Sequence, residues 1–255
     1  MNRISACVIT HNEESNLPRL LDSLAGVADE IVVVDSGSTD ATVPRALARG
    51  AKLFARGWTN FSDQRNFAAA RASHDWIFAF DADEELSGPL RESLLAWKAC
   101  KPAAAAYEVA RRANYLGVWI RHSGWYPDWK IRLYHRARAR FAGAVHESLR
   151  VEGPVARLAG DLLHYTIRTK AEHREKIERY TSIAARELFE AKQTSWRLPM
   201  VFGSAWTFFQ TFFLRAGLLD GWRGGMIARM AARYVWEKYR KLGDLVRLSR
   251  SAKNQ

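Results

Sequence analysis

Cysteine is scarce in this chain, since its 255 residues contain only Cys7 and Cys100. Two cysteines do not make a disulfide framework, which excludes the class of small secreted domains held together by several disulfides. No signal peptide precedes the first predicted strand, which begins near Ile4, so we expect a cytoplasmic protein. Low-complexity segments and internal repeats are absent as well. With 48% hydrophobic and 26% charged residues the composition is that of an ordinary globular protein.

Acidic residues are in short supply over much of the chain, and their distribution is uneven. Residues 1–110 carry 11 Lys and Arg against 15 Asp and Glu, whereas residues 111–165 carry 10 against 4 and residues 166–255 carry 18 against 8. The N-terminal part is therefore mildly acidic, and the remainder would attract polyanions such as phosphates, anionic lipid or nucleic acid. A solvated basic surface without a partner would give the same counts.

Strand-like and helix-like patterns alternate through the first 100 residues. Short apolar runs begin at Ile4 (ISACVIT), Glu30 (EIVVVD), Ala51 (AKLFA) and Asp75 (DWIFAF), and segments with helical spacing of apolar residues separate them. This alternation predicts an α/β fold whose mostly parallel sheet is covered by helices on both faces. Residues 107–165 continue as shorter strand-like pieces broken by Gly and Pro.

Polar clusters follow three of the predicted strands. The cluster THNEE begins at Thr10, DSGSTD begins at Asp35 and DADEE begins at Asp81. In parallel sheets, ligands bind beyond the carboxyl ends of the strands. We therefore expect the three clusters to face one crevice.

Two acids of the last cluster, Asp81 and Asp83, flank one small residue at a strand end. In an extended segment, residues i and i+2 point the same way, so both carboxylates can face the crevice. Carboxylates that close repel each other unless a cation neutralises them, and hard oxygen ligands select Mg²⁺ or Mn²⁺, which usually also takes oxygens from substrate phosphates. A polar turn after a strand is the simpler alternative.

The C-terminal residues 166–255 predict a basic, amphipathic helical region. Thr169 opens a helix with the capping-box pattern Thr-x-x-Glu. The 17 residues Leu198–Leu214 are uncharged and would span only about 25 Å as a helix, less than a bilayer core of roughly 30 Å. One helical stripe of this segment is aromatic: Phe202, Trp206, Phe209 and Phe213. We expect a helix in the membrane interface, with a spanning helix or a packed hairpin as alternatives.

Four segments together resemble a known family. In chain order they read VITHNEESNLPRLLDSL, EIVVVDSGSTDAT, DQRNFAAARASHDWIFAFDADEEL and RLYHRARARFAGAVHESL. They look like family-two glycosyltransferases of the GT-A, Rossmann-like fold, above all the subgroup that adds sugars to the lipopolysaccharide inner core. The tail FFLRAGLLDGWRGGMIARMAARYVWEKYRKL resembles that subgroup as well, so the resemblance runs from about Ile4 to Leu242.

The resemblance implies a domain plan and a donor site. Residues 1–165 would form the GT-A catalytic domain, with a nucleotide-sugar-binding half (1–110) and an acceptor-binding half (107–165), and residues 166–255 would associate with the membrane. The residues that would bind the nucleotide-sugar are Thr10, Asn12, Glu13, Asp35, Ser38, Arg65, Asn66 and Asp81. Many relatives have a second Asp where this chain has Ser36, which leaves GDP and ADP open beside UDP.

The implied cofactor is Mg²⁺ or Mn²⁺, and the implied reaction inverts the anomeric carbon of the sugar. The metal would be held by Asp81 and Asp83, with His164 as a further ligand, although a structural His164 stays open. A carboxylate would deprotonate the acceptor hydroxyl as general base. Glu147, in the His-Glu motif GAVHESL, and Asp128, in the aromatic loop WYPDWK, compete for that role.

The acceptor expected from the resemblance is an anionic glycolipid or oligosaccharide. A basic band in the acceptor-binding half would suit phosphates or acidic sugars. Its members are Arg111, Arg112, Arg121, Lys130, Arg132, Arg136, Arg138 and Arg140. The expected location is the cytoplasmic face of the inner membrane, where the protein would be peripherally bound. The sequence leaves the oligomeric state open.

Two other classes of protein fit parts of the sequence. A nucleotidyltransferase would share the sheet and the paired acids, but it normally has a glycine-rich phosphate loop, and the segment from Thr10, THNEESN, is not one. A non-enzymatic module that binds nucleic acid would use the ten Trp and the many Arg for stacking. That class leaves the acidic crevice without a purpose, so we expect no nucleic-acid partner.

Overall fold

The computed structural model describes residues 1–143 and 148–253. The chain divides into two compact units. The first, here called the sheet unit, comprises Met1–Arg112 and Asp128–Tyr165. The second, the helical unit, comprises Ala113–Pro127 and Thr166–Gln255. The predicted domains differ from this division in one segment, since they put residues 113–127 in the acceptor-binding half.

Strands and helices alternate in the first half of the sheet unit, in the order that the sequence pattern predicts. These elements are β1 (Ile4–Thr10), α1 (Leu17–Ser23), β2 (Glu30–Asp35), α2 (Thr42–Leu47), β3 (Lys52–Ala55), α3 (Phe61–Arg71), β4 (Trp76–Asp81), β5 (Glu84–Leu86) and α4 (Gly88–Ala99). Strands dominate afterwards. They are β6 (Ala106–Tyr115), β7 (Val118–Trp119), β8 (Asp128–His135), β9 (Ala139–Ala142), β10 (Ser148–Val151) and β11 (Val155–Ile167).

Nine of the strands among the described residues form one sheet in the order β3-β2-β1-β4-β8-β6-β11-β5, with β7 paired to β6. The first four strands are parallel, whereas β8 is antiparallel to β4 and β6 is antiparallel to β8. In the parallel part, Thr10 lies opposite Asp35, and Ile9 lies opposite Asp81. The carboxyl ends of β2, β1 and β4 therefore lie side by side. The predicted α/β class is confirmed.

Both faces of β1, β2 and β4 are buried, which is why these strands read as continuous apolar runs. On one face, the buried leucines of α1 pack with Phe78, Phe80 and the leucines of α4. On the other face, alternate residues such as Val32 and Ile77 pack against the small residues Ala68 and Ala69 of α3. Alanines let α3 approach the sheet closely and so bring the polar side chains of this helix near the strand ends.

One glycine of β11 is required by a close approach of two backbones. Gly160 has a φ of +94°, and a Cβ atom on it would lie 2.2 Å from the backbone nitrogen of Leu90 in α4. Any larger residue would separate β11 from α4. Ser87, the N-cap of α4, also bridges the two elements, because its hydroxyl accepts from the backbone N–H of both Leu90 and Asp161.

The described residues of the helical unit form two long α-helices and a shorter one, and a 3-10 helix, Gly217–Asp220, precedes the last of them. The α-helices are α5 (Lys170–Glu190), α6 (Ser204–Phe209) and α7 (Gly221–Lys253). The predicted cap of α5 is confirmed, since the Thr169 hydroxyl accepts from the backbone N–H of Glu172. Lys241 of α7 is bound to α5 by four contacts, through its Nζ to the backbone oxygen and carboxylate of Glu178 and to the hydroxyls of Thr181 and Ser182.

Helix α6 is extended at both ends by a π-helical turn, Pro199–Gly203 before it and Gln210–Leu214 after it. Two glycines bring this segment close to α7: a Cβ on Gly203 would lie 3.4 Å from Val235, and one on Gly225 would lie 3.7 Å from Phe212. The aromatic stripe faces away from these contacts. Its members are 67% (Phe202), 55% (Trp206), 44% (Phe209) and 50% (Phe213) exposed.

The exposed stripe excludes the alternative in which these aromatic residues form the core of a packed hairpin. A spanning helix is excluded for the described residues as well, because none of their helices combines the length and the apolar character that a membrane span requires. The membrane-interface prediction is neither confirmed nor contradicted by these two facts.

Candidate active site

The loops after β1 and β2 are joined to each other by hydrogen bonds. Asn12 lies in the left-handed region with a φ of +54°. Its backbone N–H donates to the Ser38 hydroxyl at 2.8 Å, and its side-chain oxygen accepts from the backbone N–H of Thr39 at 2.8 Å. The Glu13 backbone N–H donates to the hydroxyl of Thr42. The polar clusters after these two strands thus form one joined surface.

Asp35, expected to contact the nucleotide base, is buried and engaged within its own loop. Its Oδ2 accepts from the backbone N–H groups of Gly37 (2.9 Å) and Ser38 (2.8 Å), and its Oδ1 accepts from the Ser38 hydroxyl. The positive φ of Gly37 permits this tight turn. Thr10, the last residue of β1, is buried beside it. These contacts fix the loop and do not test a role toward a base.

Helix α3 directs Arg65 to the end of β4. Arg65 is 5% exposed, and its Nη2 lies 2.6 Å from Asp81 Oδ1. Its neighbour Asn66 bonds differently: its amide group donates to and accepts from the backbone of Phe141 in β9, at 2.9 and 3.1 Å. Arg65 is therefore the member of the predicted pair that reaches the acid cluster, and Asn66 holds β9 against the helix.

Asp81 is neutralised by two guanidinium groups. Besides Arg65 on Oδ1, Arg132 from β8 lies 2.9 Å from Oδ2. Burial alone would raise the pKa of Asp81, but the charges of Arg65 and Arg132 outweigh it and hold the pKa well below its usual range. Repulsion between the paired acids is thus relieved by arginine, and Asp81 needs no metal for that purpose.

Arg132 corrects one sequence prediction. We expected it in a basic band open to the acceptor, but it is 5% exposed and contacts both Asp81 and Glu84. Other members of that band are paired too: Arg111 binds Asp128, and Arg136 binds Asp75. The sequence around Arg132 gives no local signal of this burial, because alternation along a strand places Arg132 on the face opposite its apolar neighbours Ile131 and Leu133.

Glu84 is the second residue that sequence reasoning missed. It is 1% exposed, its Oε1 binds Arg132, and its Oε2 accepts from the backbone N–H of Asp81 at 2.9 Å. Burial raises the pKa of Glu84, and the Asp81 charge adds to the increase, while Arg132 opposes it. Glu84 is the one fully buried acid of this cluster, since the side chains of Asp81, Asp83 and Glu85 are 24%, 22% and 26% exposed.

Asp83 meets His164 from β11, with His164 Nε2 3.1 Å from Asp83 Oδ2. That separation is close to the roughly 3 Å between neighbouring ligands of an octahedral ion with bonds of about 2.1 Å. No three His, Cys, Asp or Glu side chains of residues 1–143 and 148–253 come together as a ready metal site. The expected trio with Asp81 is therefore not preformed. Asp83 and His164 fit a divalent ion that completes its coordination with substrate oxygens.

Of the two candidate bases, the structure describes Asp128. Glu147 lies outside the described residues. Asp128 forms ion pairs with Arg111 (2.8 Å) and Lys130 (3.0 Å). Burial would raise the pKa of Asp128, but the hydrogen bond from Lys130 and the charge of Arg111 outweigh this and lower it. A carboxylate held in this way is a weakened base.

Comparison with known proteins identifies the family of this chain. The glycosyl transferase family 2 profile matches residues 5–149, more than half of the chain. The fold and site thus define a glycosyltransferase. The chain belongs to glycosyl transferase family 2, as the resemblance implied. This decides against the nucleotidyltransferase and the non-enzymatic nucleic-acid module.

Two curated relatives are similar over most of their length. An uncharacterized glycosyltransferase of Rickettsia felis is 30% identical over 242 residues, which cover 88% of this chain and 83% of that protein. The lipopolysaccharide core biosynthesis glycosyltransferase LpsC of Rhizobium meliloti is 28% identical over 251 residues, 92% of this chain and 93% of that protein.

A solved structure with a local likeness is glucosyl-3-phosphoglycerate synthase from Mycobacterium tuberculosis in complex with Mn²⁺, uridine diphosphate and glucosyl-3-phosphoglycerate. It is 24% identical, covers 46% of this chain and 45% of that chain, and has a TM-score of 0.36. A likeness at that score carries no argument about the ligands of the present protein.

Proposed function

We propose that this glycosyltransferase moves a sugar from a nucleoside-diphosphate donor to a glycolipid of the cell envelope, with inversion at the anomeric carbon. One observation carries the proposal: Arg65 contacts Asp81 where the parallel strand β4 ends, and Asp83 follows Asp81 by two residues. A planar guanidinium suits a diphosphate, because it donates two parallel hydrogen bonds to phosphate oxygens. The LpsC relative supports an acceptor from the lipopolysaccharide core pathway.

The base and ribose of the donor would be bound by one set of residues, and its diphosphate by another. Thr10, Asn12, Glu13, Asp35 and Ser38 would bind the base and ribose, since their loops lie at the ends of the neighbouring strands β1 and β2. Arg65, oriented by Asp81, would bind the diphosphate. UDP is weakly favoured over GDP and ADP as the nucleotide.

A Mg²⁺ or Mn²⁺ ion would be held by Asp83 and His164 together with diphosphate oxygens. When bound, it supplies positive charge that stabilises the departing nucleoside diphosphate. Arg65 would contribute to the same stabilisation as a second source of positive charge.

The base that removes the acceptor proton is proposed to be Glu147. Its competitor Asp128 is engaged with Arg111 and Lys130, which lowers its pKa and its basicity. A general base works best when its pKa lies near the working pH, so the ion-paired carboxylate is the less suitable one.

In this proposal the protein meets its glycolipid acceptor at a membrane surface. The aromatic stripe of Phe202, Trp206, Phe209 and Phe213 is exposed, and Arg197 and Arg215 bound its uncharged segment at either end. Soluble proteins rarely expose so much contiguous apolar surface. A helix that is too short to span, with aromatic residues outward and arginines at its ends, suits the headgroup region of an anionic bilayer. We therefore propose peripheral binding at the cytoplasmic face of the inner membrane.

The catalytic proposal is tested by isothermal titration of the full-length protein with UDP, GDP and ADP, each with and without Mn²⁺. We expect one nucleotide to bind at least 10-fold more tightly with Mn²⁺. If none of the three shows metal-dependent binding, the donor site described above does not exist.

The membrane proposal is tested by sedimentation with vesicles of phosphatidylcholine, with and without phosphatidylglycerol. We expect binding that depends on phosphatidylglycerol and is lost when all four stripe residues are changed to Ser. Leu47→Ser with Leu95→Ser, two exposed leucines of the sheet unit, is the matched control and should bind like wild type. If the stripe variant still sediments, or if it converts a wild-type dimer to a monomer without affecting sedimentation, the stripe is not a lipid surface.

A further inference from the structure

Asp81 belongs to a closed ring of hydrogen bonds with Glu84 and Arg132. We infer that Glu84 and Arg132 are positioning residues of the donor site, which act on the nucleotide through Asp81 and Arg65. This inference rests on the proposed function, because it takes the bound nucleoside diphosphate as the readout. Neither Glu84 nor Arg132 is expected to touch substrate.

The ring begins at the backbone. Glu84 Oε2 accepts from the backbone N–H of Asp81, which ties the end of β4 to the start of β5. The other carboxylate oxygen of Glu84 binds Arg132, and the same Nη2 of Arg132 binds Asp81 Oδ2. The contacts thus form a closed ring, which runs from the Asp81 backbone to the Glu84 side chain, then to the Arg132 guanidinium and back to the Asp81 side chain.

The ring has two consequences for the site. First, it fixes the Asp81 carboxylate so that its other oxygen, Oδ1, accepts a hydrogen bond from Arg65 at 2.6 Å. Arg65 is thereby held in one orientation before a diphosphate arrives, which lowers the entropy cost of binding. Second, it fixes both ends of the short turn that contains Asp83, whose own side chain meets His164.

Stability alone is a poor explanation for these charges. The Glu84 side chain is fully buried, and the side chain of Arg132 is 5% exposed. Removing two charges from water costs about as much as their attraction returns, so well-packed apolar residues would serve a core equally well. A buried guanidinium shared between two carboxylates does fix the orientation of both carboxylates, because its hydrogen-bond donors lie in one plane. The role of this arrangement is therefore to orient the Asp81 carboxylate.

The experiment measures the dissociation constant of the Mn²⁺ complex of whichever of UDP, GDP and ADP binds the wild type. Glu84→Gln is the main variant, since it keeps the shape of the side chain and removes only its charge. Arg132→Met and Arg132→Lys form a second pair, in which lysine keeps the charge. Glu108→Gln is the matched control: Glu108 pairs with Arg157 at an exposed site of the same sheet.

We expect Glu84→Gln and Arg132→Met to raise the dissociation constant at least 10-fold, Arg132→Lys to raise it less, and Glu108→Gln to leave it within twofold. In an Asp81→Asn background, Glu84→Gln should have less than a twofold effect, because Glu84 acts through Asp81. A merely structural residue would lower the melting temperature without this dependence on Asp81. If Asp81→Asn itself abolishes nucleotide binding, the double variant gives no measurable affinity. The comparison of Arg132→Lys with Arg132→Met then tests the inference.

Two results would overturn the inference, and they differ from failure of the proposed function. One is a dissociation constant of Glu84→Gln within twofold of wild type. The other is an equal loss for Arg132→Lys and Arg132→Met. Absence of metal-dependent binding by the wild type itself would instead refute the donor site, and the inference with it.

Discussion

His164 and Asp83 meet across the edge of the sheet, with Nε2 3.1 Å from Oδ2, although they are 81 residues apart in the chain. Asp83 follows a parallel strand and His164 lies on the antiparallel strand β11. The pairing of β11 with β5, in which His164 lies opposite Glu84, brings them together. The antiparallel part of the sheet therefore contributes a residue to the proposed donor site.

Asp83→Ala should abolish metal-dependent nucleotide binding and leave the fold intact. The residue is partly exposed, so the free energy of unfolding should change by no more than about 1 kcal/mol. Titration with nucleotide and Mn²⁺, together with urea unfolding, measures both quantities. Asp75→Ala, an exposed acid just before the opposite end of β4, is the control and should bind nucleotide normally. Normal metal-dependent binding by Asp83→Ala would refute the assignment.

Arg65→Met should weaken nucleotide binding by roughly 10- to 100-fold, because a hydrogen bond to a charged group contributes about 1.5–3 kcal/mol. Asp81 would keep Arg132 as its partner, so the protein should still fold. Arg71→Met on the same helix is the control, since the Arg71 guanidinium lies over the rings of Phe54 and Phe67. Equal affinities of the two variants would show that Arg65 does not contact the nucleotide.

Gly160→Ala should destabilise the protein by roughly 2–4 kcal/mol. The added methyl group would collide with the backbone of Leu90, and the positive φ of Gly160 adds strain. Gly57→Ala, where the methyl group meets open space, should change the free energy of unfolding by less than about 1 kcal/mol. Urea unfolding of both variants checks the contrast. A stable Gly160→Ala would mean that β11 and α4 can separate at little cost.

His173 should make stability fall as the pH falls from about 6.5 to about 4. Burial lowers the pKa of His173 to about 4, and the charge of Lys176 acts in the same direction. Between these pH values the unfolded chain binds a proton that the folded chain does not, so unfolding is favoured by up to about 3 kcal/mol. The Nδ1 of His173 lies 3.0 Å from the Tyr115 hydroxyl.

The measurement compares the free energy of unfolding of wild type and His173→Gln from pH 7 to pH 4. The difference between the two proteins should change across this range, because the variant lacks the titrating group and other residues contribute equally to both. A constant difference would mean that His173 titrates alike in the folded and unfolded chain.

Local patterns predicted much of the fold. The alternation of apolar runs with helical segments gave the first four strands in order, and the Thr169 cap was identified from a spacing of three residues. The helical period also grouped Phe202 with Trp206 on one face. These features depend on residues close in sequence, where the geometry of the helix or strand decides which side chains share a face.

The contacts of the site could not be predicted in the same way. Arg132 is 51 residues from Asp81, and only the pairing of β8 with β4 brings them together. The sequence alone gave the charge of Arg132 but not its burial, so we had assigned it to an open basic band. Asn66 had been grouped with Arg65, yet consecutive helical residues point in different directions, and Asn66 reaches β9.

The four contacts of Lys241 have a consequence for chemical labelling. All the hydrogens of its ammonium group are occupied by oxygens of α5, and its side chain is 14% exposed. An amine acylates only after it has lost a proton and met the reagent. Under gentle treatment with an N-hydroxysuccinimide ester, Lys241 should therefore stay unmodified while the exposed lysines Lys170 and Lys192 react, and its acylation would report that α7 has left α5.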